Sequence, residues 1–119
     1  MTGSLDQRGN VQAVGGINEK IEGFYEICKS RGMEDGPKSV IIPASNASDL
    51  MLNDDVLQAV AHGGFRIYVV ETLEAAMTLV TDRSWDEGEW SIVRAVTDHL
   101  RDLRKIYLKG HPNASSTVA

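Results

Sequence analysis

Two short runs of branched and aromatic residues constrain this chain most. Ser39-Val40-Ile41-Ile42 stops at Pro43, and Phe65-Arg66-Ile67-Tyr68-Val69-Val70 follows the pair Gly63-Gly64. Such side chains suit a pleated surface and their borders are strand breakers, so both runs predict strands, the first of them buried. Helical spacing surrounds them. Before the first, Ile17, Ile21, Phe24, Tyr25 and Cys28 form one apolar stripe at i, i+4, i+7, i+8 and i+11. Asn18 is expected to cap that helix and Gly32 to close it, ahead of a loop Glu34-Asp35-Gly36-Pro37. Between the runs, Val56, Leu57, Val60 and Ala61 predict a helix started by Asp54 or Asp55. After the second, Thr72 caps a helix carrying Leu73, Ala76, Met77 and Val80. This alternation predicts helices packed on a sheet that is at least partly parallel.

Upstream, Asp6-Gln7-Arg8-Gly9-Asn10 is a turn signal between apolar positions, so residues 2–14 predict a β-hairpin, which Gly15-Gly16 interrupts. The hairpin opens abruptly after Met1, which suggests that a piece belongs upstream. Past Asp82 the composition changes: a polar stretch holds Trp85 and Trp90, and a last helix carries Ile92, Val93, Val96, Leu100, Leu103, Ile106 and Tyr107. The tryptophans and this helix suit either an interface or packing on the core. From Gly110 onward the composition predicts a disordered tail. The fold expected is α+β: a hairpin and further strands in one mixed sheet, helices packed on it, and a C-terminal helical extension.

The charge balance narrows the function. A formal net charge of −5 argues against a broad phosphate-binding face, and the basic cluster from Arg101 to Lys109 is interrupted by Asp102 and apolar residues. Nucleic acid is therefore not an expected partner. One cysteine, Cys28, permits no internal disulfide and no cysteine-rich metal site. No secretion signal or membrane-spanning run is evident, so a soluble, cytoplasmic protein is expected, with no membrane partner. His62, His99 and His111 lack metal-site spacing, and no metal is expected. Gly15-Gly16 before a helix could receive an anion, but the phosphate-loop pattern of Gly, Lys and Ser/Thr is missing, so no nucleotide site is expected here.

The stretch Thr2-Gly3-Ser4, Arg8-Gly9 and Gly15-Gly16-Ile17-Asn18-Glu19-Lys20 resembles the peptidase domain of the Lon protease family. That domain has a strand opening with Thr-Gly, a hairpin, and a helix started by Gly-Gly-x-x-x-Lys. The resemblance continues through Val40-Ile41-Ile42-Pro43, Asn46, Asp49-Leu50 and Thr72-Leu73-Glu74-Ala75-Ala76. It covers residues 1–82, the C-terminal part of a Lon proteolytic domain. Residues 83–109 form the helical extension and 110–119 the tail.

The resemblance implies an ATP-dependent serine endopeptidase that degrades proteins within a hexameric homo-oligomer. Its serine–lysine dyad places Lys20 as general base, with Thr2 holding the amine by a hydrogen bond and Gly15 and Gly16 as the structural motif. ATP and Mg would bind a separate ATPase module, and no cofactor is expected in this chain. A lysine accepts a proton only when neutral. Desolvation beside Ile21 and Phe24, and the positive end of the helix dipole, would both favour the neutral amine. The family serine stands in a Gly-Pro-Ser segment upstream of the Thr-Gly strand, and no serine here has that context. Ser4 stands where many members carry Glu, while Ser39, Ser45 and Ser48 read as strand-edge and cap residues. The chain alone is therefore expected to be inactive. It should also expose a sheet edge and tend to self-associate.

A non-catalytic binding or oligomerisation module with a Lon-like fold is the main rival, supported by the absent serine, by Ser4 and by the unmatched extension. A small-molecule enzyme with a Schiff-base lysine has no acid partner or phosphate loop to support it.

Overall fold

A computed structural model describes residues 1–32 and 36–113. The elements run β1 (Ser4–Leu5), β2 (Val11–Gln12), α1 (Ile17–Ser30), β3 (Lys38–Pro43), a 3-10 turn (Ala44–Asp49), α2 (Asp54–Ala61), β4 (Phe65–Val70), α3 (Leu73–Thr81) and α4 (Ile92–Gly110). The chain forms two compact units, Met1–Ala76 and the residues from Met77 onward, divided within α3.

In the first unit β3 and β4 pair in parallel, with Val40 opposite Ile67, Ile41 opposite Tyr68 and Ile42 opposite Val69. Successive side chains alternate between faces, and helices pack on each face, although Tyr68 and Val69 of β4 stay exposed. One face holds Val40, Ile42 and Phe65 against Ile17, Ile21 and Tyr25 of α1 and Val56 of α2. The other packs Ile41 and Val70 against Ala76 of α3, with Val11 of the hairpin alongside. Phe65 is fully buried, its ring meeting Tyr25 edge-on at 5.4 Å between centroids. Burial of a side chain that size contributes roughly 1.5–3 kcal/mol.

The α+β class and both strand runs are as the sequence predicts, but the strands form two small sheets rather than one. β1 and β2 pair antiparallel over two residues each. Their ladder stops there, and neighbouring backbone groups turn instead to β3 and to the chain just after β4. Thr2 donates to the Ile41 carbonyl at 3.1 Å, Val11 to Glu71 at 2.8 Å, and Leu73 to Gly9 at 2.9 Å. The turn between them is built on Asp6, whose carboxylate accepts from the backbone N–H of Arg8 and of Asn10 and from the Asn10 side chain. Asn10 Nδ2 chiefly, then the backbone N–H groups, hold the Asp6 carboxyl below its ordinary pKa.

The cap of α1 differs from expectation, and α2 starts at Asp54 as expected but takes its cap one residue earlier. Gly16, with φ of 65°, is the N-cap of α1 and supplies no side chain. Asn18 lies inside the first turn, where its amide is committed elsewhere: Oδ1 accepts from Met51 N at 2.8 Å and Nδ2 donates to the Asp49 carbonyl at 3.0 Å. The cap of α2 is Asn53, which accepts from Val56 N at 3.0 Å, while Asp54 and Asp55 occupy the first turn, where the helix dipole favours acidic groups. Thr72 caps α3 as expected, accepting from Ala75 N at 3.2 Å. Gly32 follows the C-cap of α1 with φ of 80°. Within the loop predicted there, Glu34 and Asp35 lie outside the described residues.

In the second unit, Ser91 is buried and caps α4 by accepting from Arg94 N at 3.3 Å. The carbonyls of Ser84 and Trp85 accept from Ile92 and Val93 and satisfy two more donors of the first turn. The helix runs through Gly110. Residues 111–113 follow it, and the remainder of the predicted tail lies outside the described residues. Ile92 at the start of α4 is buried, and beyond it the apolar stripe is exposed, Leu100 at 59% and Ile106 at 67%. No helix among the described residues is long and apolar enough to cross a membrane.

Candidate active site

Lys20 sits where α1 begins. Its backbone N–H closes the first helical hydrogen bond, to the Gly16 carbonyl at 3.1 Å. Its side chain curls back, and Nζ donates to the Gly15 carbonyl at 2.9 Å. Gly16 makes this reversal possible, because its left-handed backbone turns the chain sharply into the helix. The two glycines therefore have distinct parts: Gly15 offers the acceptor, and Gly16 the turn.

A cleft of about 260 Å³ opens beside Lys20, walled by Ile21 and Phe24 of α1, Val40 and Ile42 of β3, and Thr2. Thr2 is held at its rim by the backbone bond to Ile41. The structure thus brings Lys20 and Thr2 to one cleft, but among the described residues no hydrogen bond joins them. The desolvation expected from Ile21 and Phe24 is not realised either: Lys20 is exposed. A four-carbon stem lets the amine leave an apolar stripe for a polar partner, and the Gly15 carbonyl is that partner. With one N–H so engaged, Lys20 stands beside an apolar-walled cleft.

The remaining candidates lie elsewhere. Ser4 donates across the hairpin to Gln12 Oε1 at 3.0 Å. Ser39, Ser45 and Ser48 are exposed on β3 and the 3-10 turn. Among the described residues no cluster of three or more His, Cys, Asp or Glu could hold a metal ion.

One buried polar residue near the start of α1 had no role assigned from sequence. Asn46 is 2% exposed, and its amide brackets Val14: Oδ1 accepts from Val14 N at 2.9 Å and Nδ2 donates to Val14 O at 3.1 Å. Nδ2 also donates to Asp49 Oδ2 at 3.1 Å. An Asn in a turn-rich run after a strand is a weak signal, because such residues usually serve their own turn.

No protein-family model matches the chain. It is 40% identical to a Lon protease homolog of Escherichia coli K12 over 101 residues, 84% of this chain. It is 49% identical to a Lon protease homolog of Haemophilus influenzae over 83 residues, 70% of this chain. The chain belongs to the Lon protease family. An archaeal Lon protease of Methanocaldococcus jannaschii is 39% identical over 82 residues, 69% of this chain. The chain spans only 17%, 14% and 10% of these three Lon relatives' own lengths.

Proposed function

We propose that this chain is the lysine-bearing, C-terminal part of the proteolytic domain of an ATP-dependent serine endopeptidase. The observation that carries this reading is Lys20 Nζ, fixed by the Gly15 carbonyl at the mouth of an apolar cleft that Thr2 also lines. Lys20 in its neutral form takes the proton of a serine hydroxyl as the oxygen attacks a peptide carbonyl. The lysine then passes that proton to the departing amine, leaving an acyl-enzyme. Water, deprotonated by the same lysine, releases the acyl group and restores the serine. Thr2 orients the amine as it moves toward the nucleophile.

The serine would come from a Gly-Pro-Ser segment outside these 119 residues, so the chain by itself would not hydrolyse peptides. The residues described do not fit a nucleotide: Gly15-Gly16 is not followed by the Lys-Ser/Thr pair of a phosphate loop, and the Gly15 carbonyl is engaged by Lys20. ATP and Mg belong to a separate module. Protein substrates, a cytoplasmic setting and a hexameric ring complete the proposal.

A non-catalytic assembly module is favoured by one observation, the exposure of Lys20 without a bond to Thr2. Peptide hydrolysis by the full parent protein separates the two readings. Lys20→Ala should lower kcat by on the order of 10³-fold or more while the fold survives. Unchanged activity in a folded Lys20→Ala protein would establish the module.

A further inference from the structure

The amine of Lys20 is only as well placed as the carbonyl it leans on. Gly15 O lies in the link Val14-Gly15-Gly16 between β2 and α1. Neither glycine has a side chain to anchor it, and glycine carries the greatest backbone freedom of any residue. The link is nevertheless pinned on both sides by one structure, the 3-10 turn after β3.

On the upstream side, Asn46 treats Val14 as a neighbouring strand would. Its amide accepts the Val14 N–H and donates to the Val14 carbonyl, so both backbone groups of the residue before Gly15 are satisfied by one buried side chain. On the downstream side, Asn18 ties the first turn of α1 to the Asp49 carbonyl and to Met51 N. Asp49 joins the two clamps, since its carboxylate accepts from Asn46 and its carbonyl accepts from Asn18. An amide suits position 46 because it offers an acceptor and a donor on one flat group. A carboxylate there keeps the acceptor but faces the Val14 carbonyl and Asp49 with negative charge. Alanine leaves two part-buried backbone groups of Val14 without this partner, each costly to orphan.

We propose that Asn46 is a positioning residue for the reaction: by fixing Val14 it fixes the Gly15 carbonyl, and so the direction of the Lys20 amine. This rests on the reading of Lys20 as general base. It concerns the transition state rather than substrate capture, because Asn46 does not line the cleft. A displacement of the reacting group by about 1 Å costs on the order of 10²-fold in rate.

The test uses the full parent protein and a fluorogenic peptide, with Asn46→Asp and Asn46→Gln, each alone and combined with Lys20→Ala, and thermal unfolding measured throughout. Gln keeps both amide functions on a longer stem and guards against an Asp variant that does not fold. The expected result is a fall in kcat of roughly 10–100-fold with KM within about twofold. In the Lys20→Ala background the same substitution should lower the residual rate no further, because a residue acting through the lysine has nothing left to act on. Two results would overturn the inference: folded variants with unchanged kcat, or a loss that multiplies fully with that of Lys20→Ala. Should Lys20→Ala alone keep its activity, the general-base reading itself fails, which is a separate and distinguishable outcome.

Discussion

The unit Met1–Ala76 and the helix α4 carry equally plain helical periodicity, yet their apolar stripes meet different ends. In α1, Ile17, Ile21, Tyr25 and Cys28 are buried, each 8% exposed or less, and of that stripe only Phe24 stays exposed. In α4, Val93, Val96, Leu100, Leu103, Ile106 and Tyr107 have the same kind of spacing and are 40–67% exposed. Periodicity identifies which face of a helix is apolar. It does not say what covers that face, and only a partner of fixed shape turns the stripe into stability.

Substitution tests that difference most sharply at the two extremes. Phe65→Ala should destabilise the first unit by about 3–5 kcal/mol, read by urea unfolding, because it empties a fully enclosed site. Leu100→Ala, at a solvent-facing position of α4, should stay within about 1 kcal/mol. An equal loss at Leu100 would mean that the α4 stripe is covered in solution, and the contrast would collapse.

Polar side chains sharpen the comparison at the next scale. Asn46→Ala removes a long-range clamp from the first unit and should cost about 1–3 kcal/mol in the same measurement. Ser91→Ala removes only the cap of α4 and should cost about 1 kcal/mol, seen as lost helicity by circular dichroism.

The smallest effects are those of pH. Asp6 has a folded pKa below its ordinary 3.8, so its contribution is present above that value and fades as pH falls through the folded value. Asp6→Asn should flatten a slight loss of hairpin stability on acidification. Lys29 behaves oppositely: its hydrogen bond to Asp55, and then the charge of Asp55, raise it above 10.5. Its contribution is present below 10.5 and is lost as pH rises through the higher folded value. The Lys29–Asp55 ion pair is solvent-exposed, so salt should diminish its effect, whereas the Asp6 effect rests on neutral donors and should respond less to salt.

What the sequence disclosed follows the same division. β4 lies where its run of branched and aromatic residues predicts, and β3 is longer than its run by only Lys38 and Pro43. The Asp6–Asn10 turn, the Thr72 cap and Gly32 after α1 are also local matters, decided by residues a few positions apart. The clamps were not legible. Asn46 reaches Val14 across 32 positions and Asn18 reaches Met51 across 33, and a single side chain at that separation leaves no periodic trace. Lys20 was legible by position but not by direction, because its stem can carry the amine to any acceptor within reach. The motif places the lysine at the helix start; the hydrogen bond to Gly15 came only from the fold.

Cys28 gives these contrasts a clock. It is the sole thiol of the chain, free of any disulfide and buried on the C-terminal half of α1. A thiol-reactive dye can reach it only when that half of the helix lifts away, so the alkylation rate reports local opening without an added label. Slow labelling that tracks global unfolding would make α1 part of the last structure to yield. Fast labelling in an otherwise native protein would mark its C-terminal half as a hinge.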